Sequence, residues 1–300
     1  MLLITSYAIL TAVTELVIPP RWESLELDRM RGTVMIIGAS DTGKSTLARY
    51  LFQRLCRAGR QVAYLDLDMG QSTLGLPTTM NLAMAAAPGD DRFPPQGARA
   101  CYFVGAVTPR GHFLPTIIGA YRLQQKAVDL GAEVVVVDTT GLIDKAQGGK
   151  VLKQWKIELL APTLVIGLQR GWELEPILWP LRRDGRVRSI ELPVSSHAIE
   201  RSREVRIARR QERLAGYFRE AQPRLLNLRQ FPIYDLERLT VGTLLAFQDE
   251  EGFALALGAV EQVDYQTGTV IVRTPLPSLS EVVSVRLGAV GWDLMNRREL

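Results

Sequence analysis

Cysteine is almost missing from this chain, with two residues in 300. Cys56 and Cys101 stand 45 positions apart without any metal-ligand spacing, which excludes a disulfide scaffold and a cysteine-based zinc site and leaves two reduced core thiols. Histidine is as scarce, and His112 and His197 read as surface or structural residues. Residues 1–20 are fairly apolar, but Glu15 interrupts them and no basic segment precedes them, so neither a signal peptide nor a membrane-spanning helix is expected. A cytoplasmic protein with no membrane partner is the expectation. There is no low-complexity stretch and no internal repeat. At 47% hydrophobic residues the chain can bury one large core and a smaller unit.

Positive charge is unevenly placed. Only six of the 36 basic residues are lysine, and between Arg182 and Arg229 thirteen arginines face six acids. The formal net charge of +4 therefore comes from this segment, and the rest of the chain is slightly negative. A local anionic partner is implied.

The strongest local pattern is Gly38-Ala-Ser-Asp-Thr-Gly-Lys-Ser-Thr46, which fits G-x-x-x-x-G-K-[ST]. Thr33 to Ile37 before it reads as a buried strand and Leu47 to Cys56 after it as a helix, the context a phosphate-binding loop requires. Backbone N–H groups of such a loop converge on one anion, and Gly38, Ser40, Asp41, Thr42, Gly43, Lys44, Ser45 and Thr46 form the expected nucleotide cradle. Lys44 would serve the β and γ phosphates and Ser45 a Mg²⁺ ion.

Further strands are expected at Gln61 to Leu67, Cys101 to Val107, Glu133 to Asp138, Thr163 to Leu168 and Val187 to Leu192, alternating with helices near 115–130, 150–160 and 174–181. Asp66 and Asp68 share a face at the C-terminal edge of the second strand, beside the loop in an open α/β sheet. Four consecutive valines lead to Asp138, the usual place of an acid that orients Mg²⁺ through water. From Ile199 to Phe218 the pattern is helical, with Val205, Ala208, Leu214, Ala215 and Phe218 expected on the buried side and arginines covering the rest. Turn signals at hairpin spacing then separate strand-like runs, so residues 230–300 read as a small antiparallel β module.

The fold class is thus α/β: a three-layer P-loop NTPase core with a mostly parallel sheet, an arginine-rich lid helix and a C-terminal antiparallel β module. The expected domains are a lead-in at 1–32 with a short helix from Trp22 to Met30, a kinase domain at 33–225 with its lid at 195–220, and the module at 230–300. Asp138-Thr-Thr-Gly141 also matches the D-x-x-G of GTPases, but Gln169-Arg170-Gly171-Trp172 stands where their guanine-reading motif belongs. A ParA-like partitioning ATPase is the other rival, and Ala39 occupies the place of that family's second lysine.

Several motifs in order resemble the polynucleotide 5′-hydroxyl kinases, a family that includes the kinase subunit of the eukaryotic pre-mRNA cleavage complex, a pre-rRNA-processing kinase and shorter archaeal relatives. They are Ser40 to Thr46; Leu67-Asp68-Met69-Gly70-Gln71-Ser72 with Leu76-Pro77-Thr78-Thr79; Phe103-x-Gly105-x-x-Thr108-Pro109; Thr139 to Leu142; Gln169-Arg170; and Glu200-Arg201-Ser202 with Arg206 and Tyr217-Phe218. The resemblance runs from about residue 20 to 220. It implies transfer of the γ-phosphate of ATP or another NTP to the 5′-hydroxyl end of RNA or DNA, with Mg²⁺ as cofactor and RNA-processing proteins as partners. Lys44, Asp68, Arg201 and Arg206 would be catalytic; Asp68 would orient or deprotonate the hydroxyl and, with Ser45, ligate the metal. Gln71, Gly105, Thr108, Thr140, Gly141 and Leu142 would hold the acceptor strand. Leu142 replaces the family's base-stacking tryptophan, which implies weaker acceptor binding unless Trp172, Trp155 or Tyr102 substitutes. The alternative is an NTP-binding switch or adaptor that acts on a protein partner.

Overall fold

The computed structural model of the protein describes residues 18–299. The part of the expected lead-in before Ile18 lies outside these residues. The lead-in begins with a one-turn helix, α1 (Pro20–Glu23), where Pro20 fits the first helical turn, and Trp22 is buried. A 3₁₀ turn at Leu27–Arg29 follows, in place of one continuous helix.

Seven strands form the main sheet: β1 (Gly32–Gly38), β2 (Val62–Asp66), β3 (Thr79–Met84), β4 (Arg99–Phe103), β5 (Val134–Asp138), β6 (Leu164–Gln169) and β7 (Arg188–Pro193). Their order is β4-β3-β2-β5-β1-β6-β7. Strands β2, β5, β1, β6 and β7 run parallel, while β3 pairs antiparallel with β2 and with β4. The valines of β5 lie at the centre and are buried on both faces. One face is covered by α2 (Lys44–Arg57), with Leu47, Leu51 and Phe52 in its core. The other is covered by α3 (Phe113–Asp129), α4 (Gly149–Leu160) and α5 (Glu175–Asp184), with Leu123, Ile157 and Ile177 in that core.

The lid helix α6 (Arg203–Tyr217) is capped by Ser202, whose hydroxyl accepts from Val205 N–H at 3.3 Å. Its buried side differs from the expectation. Val205 is 53% exposed and Ala208 lies outward, whereas Arg206, Arg209, Arg210 and Arg213 turn inward; Leu214, Tyr217 and Phe218, with Ala215 packed against them, form an apolar end.

A second sheet follows, with β8 (Gln222–Asn227), β9 (Ile233–Tyr234), β10 (Thr243–Gln248), β11 (Ala254–Asp264), β12 (Thr269–Thr274), β13 (Ser284–Asp293) and β14 (Arg298–Glu299). Strand β8 pairs along its whole length with β12, so this sheet takes its edge from residue 222 and not from 230. One face packs on the core through Phe103, Leu214, Tyr217 and Trp292. Gly105, at φ +75°, lets the backbone of Gly288 approach, and its carbonyl accepts from Ala289 N–H at 2.7 Å. Among the described residues no helix is long and apolar enough to cross a membrane.

Candidate active site

Strand β1 delivers the chain into the loop at the C-terminal edge of the sheet. A side chain at Gly38 would meet the Leu168 carbonyl at 2.7 Å, and Gly43 sits at φ +89° immediately before α2. Asp41 also adopts a left-handed conformation, at φ +57°, which aspartate tolerates better than most residues. Thr42 donates to the Ala39 carbonyl at 3.0 Å, and Lys44 donates to the same oxygen at 2.5 Å. Lys44 is buried, and desolvation lowers its pKa against the raising influence of Asp138 and Asp68.

Parallel pairing places Asp138 beside Asp66 on β2 and beside Ile36 on β1. Burial pushes the Asp138 carboxyl up to about 7, Asp66 pushes the same way, and the Ser45 hydroxyl and Lys44 oppose them. Its Oδ1 is buried without a hydrogen-bond partner among the described residues, while Tyr64 donates to Oδ2 at 3.3 Å. No cluster of three or more His, Cys, Asp or Glu side chains among the described residues could hold a metal unaided. An orphaned carboxylate oxygen next to a serine hydroxyl suits Mg²⁺, which takes one or two protein oxygens and completes its shell with water and phosphate.

Asp66 is fully buried, and its Oδ2 accepts from the Ser72 hydroxyl at 2.8 Å, Thr73 N–H at 2.5 Å and Leu74 N–H at 3.0 Å. Burial raises its pKa. The first acid of the pair therefore shapes the loop, and the second is freed for other work: Asp68 Oδ1 accepts from Gly70 and Gln71 N–H, both at 3.0 Å, and Oδ2 carries no hydrogen bond among the described residues. Gln71 Nε2 donates to the Arg206 carbonyl at 3.1 Å, linking this loop to the lid.

The lid closes on the phosphate loop through Asp41. Its carboxylate accepts from Arg201 N–H at 3.0 Å and pairs with the Arg206 guanidinium. Arg170 braces both partners, donating to the Asp41 carbonyl at 3.1 Å and approaching Glu200 at 3.3 Å. Arg213 donates to the Ser72 carbonyl. Arg209, half-buried, makes no such bond among the described residues and lies in the fields of Asp66 and Asp68.

Of the expected acceptor residues, Gly141 lies against the loop, where a side chain would meet Ser40 N at 2.7 Å, and Thr140 before it is buried. Gly105 is buried at the junction with the second sheet, while Thr108 is exposed with its hydroxyl accepting from Arg110 N–H at 3.3 Å. Leu142 is half-buried. Among its expected substitutes, Tyr102 is packed in the core against Met80 and Gly119, Trp155 faces outward from α4, and Trp172 is 82% exposed two residues beyond Arg170. Sequence reading did not single out Lys153, although its ammonium is fully buried and donates to the Thr139 hydroxyl at 2.9 Å and the Thr140 carbonyl at 2.6 Å. The available signal was Lys153 and Lys156, both fully buried, on the face of α4 that also carries Leu152, Ile157 and Leu160.

The model of the mRNA cleavage and polyadenylation factor CLP1 P-loop family matches residues 38–220, from the first glycine of the loop to the end of the lid. The chain belongs to this family. A polyribonucleotide 5′-hydroxyl-kinase of Pyrococcus abyssi is 29% identical over 329 residues, covering 89% of this chain and 90% of its own. The enzyme of the same name from Methanocaldococcus jannaschii is 34% identical over 189 residues, covering 63% of this chain and 51% of its own. Human polyribonucleotide 5′-hydroxyl-kinase Clp1 is 30% identical over 205 residues, 64% of this chain and 47% of its own. Clp1p from the solved wild-type Clp1p–Pcf11p complex superposes with a TM-score of 0.64 at 14% identity, over 87% of this chain and 74% of that one. The CLP1 fold therefore extends beyond the loop and lid into the second sheet.

Proposed function

We propose that this protein transfers the γ-phosphoryl group of ATP, or another NTP, to the 5′-hydroxyl of RNA or DNA. The observation that carries the reading is the docking of the lid on Asp41, in the loop that also holds Lys44, together with the bond from Gln71, in the turn after Asp68, to the lid backbone. Loop amides and Lys44 hold the donor phosphates once Lys44 leaves the Ala39 carbonyl. Asp68, fixed through Oδ1, keeps Oδ2 for the acceptor hydroxyl and takes its proton as the new O–P bond forms and the bond to the departing diphosphate breaks. Arg201 and Arg206 stabilise the transferred group, as an arginine supplied in other phosphoryl-transfer enzymes does by on the order of 10³–10⁵ in rate. Ser45, Asp68 and the orphaned oxygen of Asp138 would hold Mg²⁺, which neutralises charge developing on the donor phosphates. Gln71, Thr108, Thr140 and Gly141 contact the acceptor backbone, and Leu142 its terminal base. RNA-processing partners and a cytoplasmic location belong to the same reading.

The test is incubation with γ-labelled NTP, Mg²⁺ and a 5′-hydroxyl oligonucleotide. Labelled oligonucleotide, lost in Lys44→Ala and Asp68→Asn proteins of unchanged fold, is the expected result. No label with RNA or DNA under any of the four NTPs would overturn it and favour a nucleotide switch.

A further inference from the structure

Lys153 is fully buried on α4 and takes no part in the transfer steps above. Its ammonium has three donors and meets three oxygens at the exit of β5: the Thr139 hydroxyl at 2.9 Å, the Thr140 carbonyl at 2.6 Å and the Thr140 hydroxyl at 3.4 Å. The Thr139 hydroxyl passes the link on, donating at 2.7 Å to the Ile36 carbonyl, on the strand that feeds the phosphate loop. Enclosing an ammonium is costly even when its donors are matched, and a methionine would fill similar space without that cost.

The shortest of these bonds sets the direction of a peptide. The Thr140–Gly141 unit is trans, so its C=O and its N–H point in opposite directions. With the Thr140 carbonyl turned to Lys153, the Gly141 N–H faces away from α4, and it carries no hydrogen bond among the described residues. Gly141 also lies against the phosphate loop, since a Cβ there would come within 2.7 Å of both Ser40 N and Ser40 Cα. The strand order β2-β5-β1 decides what passes in front of it. Donor phosphates rest on the loop after β1 and Asp68 follows β2, so the group that moves from one to the other crosses the end of β5, where Gly141 sits.

We propose that Lys153 is a positioning residue that, by holding the Thr140 carbonyl, aims the Gly141 N–H at the γ-phosphoryl group of the bound NTP. The inference rests on the kinase reading above and deepens it. The amide donates to an oxygen of that group before and after transfer, because the same group leaves as the 5′-phosphate of the acceptor. A donor fixed in advance costs no reorganisation as charge develops on the phosphoryl oxygens. Lys153 itself takes no proton and touches no substrate; the hydroxyl proton goes to Asp68.

Binding equilibria of Lys153→Met separate this role from a structural one. A lost brace weakens NDP and NTP alike, whereas a misdirected amide weakens only the ligand that has a γ-phosphoryl group. Calorimetry should give an affinity for Mg²⁺-ADP within about twofold of the wild type, and an affinity for the non-hydrolysable β,γ-imido analogue of ATP lowered about tenfold or more, the loss of one hydrogen bond to a charged oxygen. Thr139→Val is the contrast. It breaks the link to Ile36 and leaves the Thr140 carbonyl on Lys153, so the protein should melt lower while the ratio of the two affinities stays that of the wild type. Lys153→Gln, too short to reach all three oxygens, answers the same question if the methionine variant does not fold. A wild-type ratio in the lysine variants, or a ratio that falls as far in Thr139→Val, overturns the proposal. Failure of the wild type to label oligonucleotides would overturn the kinase reading, while the affinity ratio still decides whether Lys153 aims the amide.

Discussion

Arg206 on the lid and Asp41 in the phosphate loop, 165 positions apart, form an ion pair that fastens one to the other. Burial pushes the Asp41 carboxyl up, but the Arg201 amide and the Arg206 guanidinium outweigh it and hold the pKa below its ordinary 3.8. A carboxylate depressed in this way contributes stability that is complete above the unfolded value and is lost as pH falls through the folded one. The lid contact is therefore constant across neutral pH and fails only below about pH 4. Asp41→Asn keeps the shape and removes the charge. It should open the lid, seen as faster proteolysis between residues 195 and 205, and raise KM for the acceptor several-fold. Unchanged proteolysis would mean that Gln71 and Arg213 hold the lid unaided.

Because Asp41 engages Arg206, Arg201 and Arg209 are among the lid arginines whose guanidinium groups carry no hydrogen bond among the described residues. Arg201→Ala should lower kcat at least tenfold while NTP affinity, measured by calorimetry, stays within about threefold. Arg209→Ala should act on acceptor KM, since Arg209 lies in the field of Asp68. An Arg201 variant with full turnover would return the start of α6 to an ordinary solvated helix end.

Much of this site was legible because its parts obey local rules. The loop needs Gly38 and Gly43, the valine run needs a doubly covered strand, and Asp138 follows from the end of that run. Strand β3 was not legible, since Thr79-Met-Asn-Leu-Ala-Met84 has no alternation and every residue of it is buried. The lid was read inside out at its N-terminal half. A helix that closes over carboxylates and loop carbonyls turns its arginines inward, and apolar periodicity alone would place Val205 there. The work of Asp66 was hidden for a related reason: its partners, Ser72 to Leu74, are recognisable only once the loop has folded back on it.

Two glycines test the packing that shapes the site. Replacing Gly141 by alanine would drive a Cβ to 2.7 Å from backbone atoms of Ser40, so NTP binding should be lost while the melting temperature changes little. Gly105→Ala would put a Cβ 2.7 Å from Gly288 Cα at a left-handed φ, and should destabilise the whole protein by about 1–3 kcal/mol. Denaturant unfolding of the two variants distinguishes them; comparable losses of stability would contradict this division.

The charge on Lys156, whose Nζ is buried without a hydrogen-bond partner among the described residues, predicts a pH dependence. Burial lowers its pKa from 10.5 to about 8. Below pH 8 the group is charged in both folded and unfolded chains, so the burial penalty is present in full. Between about 8 and 10.5 the unfolded chain holds a proton that the folded one has released, and native stability gains as pH rises. The advantage of Lys156→Met over the wild type should thus be constant from pH 6 to 8, at most about 3 kcal/mol, and shrink toward pH 10. Urea unfolding across that range measures it, and an advantage that widens with pH would contradict a buried ammonium.

The last prediction concerns position 142, where the family's tryptophan is replaced by leucine. Leu142 is half-buried and directly follows Gly141, whose backbone touches Ser40 of the loop, so a ring there would lie beside the transferred phosphate. Neither of the buried or outward aromatics, Tyr102 and Trp155, is placed to do the same work. Stacking of one base on an aromatic ring contributes roughly 1–3 kcal/mol. Leu142→Trp should therefore lower KM for a 5′-hydroxyl oligonucleotide by about five- to a hundredfold, with kcat and NTP affinity nearly unchanged. The gain should be greater for a terminal purine than for a terminal abasic site, which offers no ring to stack. If the abasic oligonucleotide gains as much, the added tryptophan acts by packing under the loop, and the terminal base does not rest at position 142.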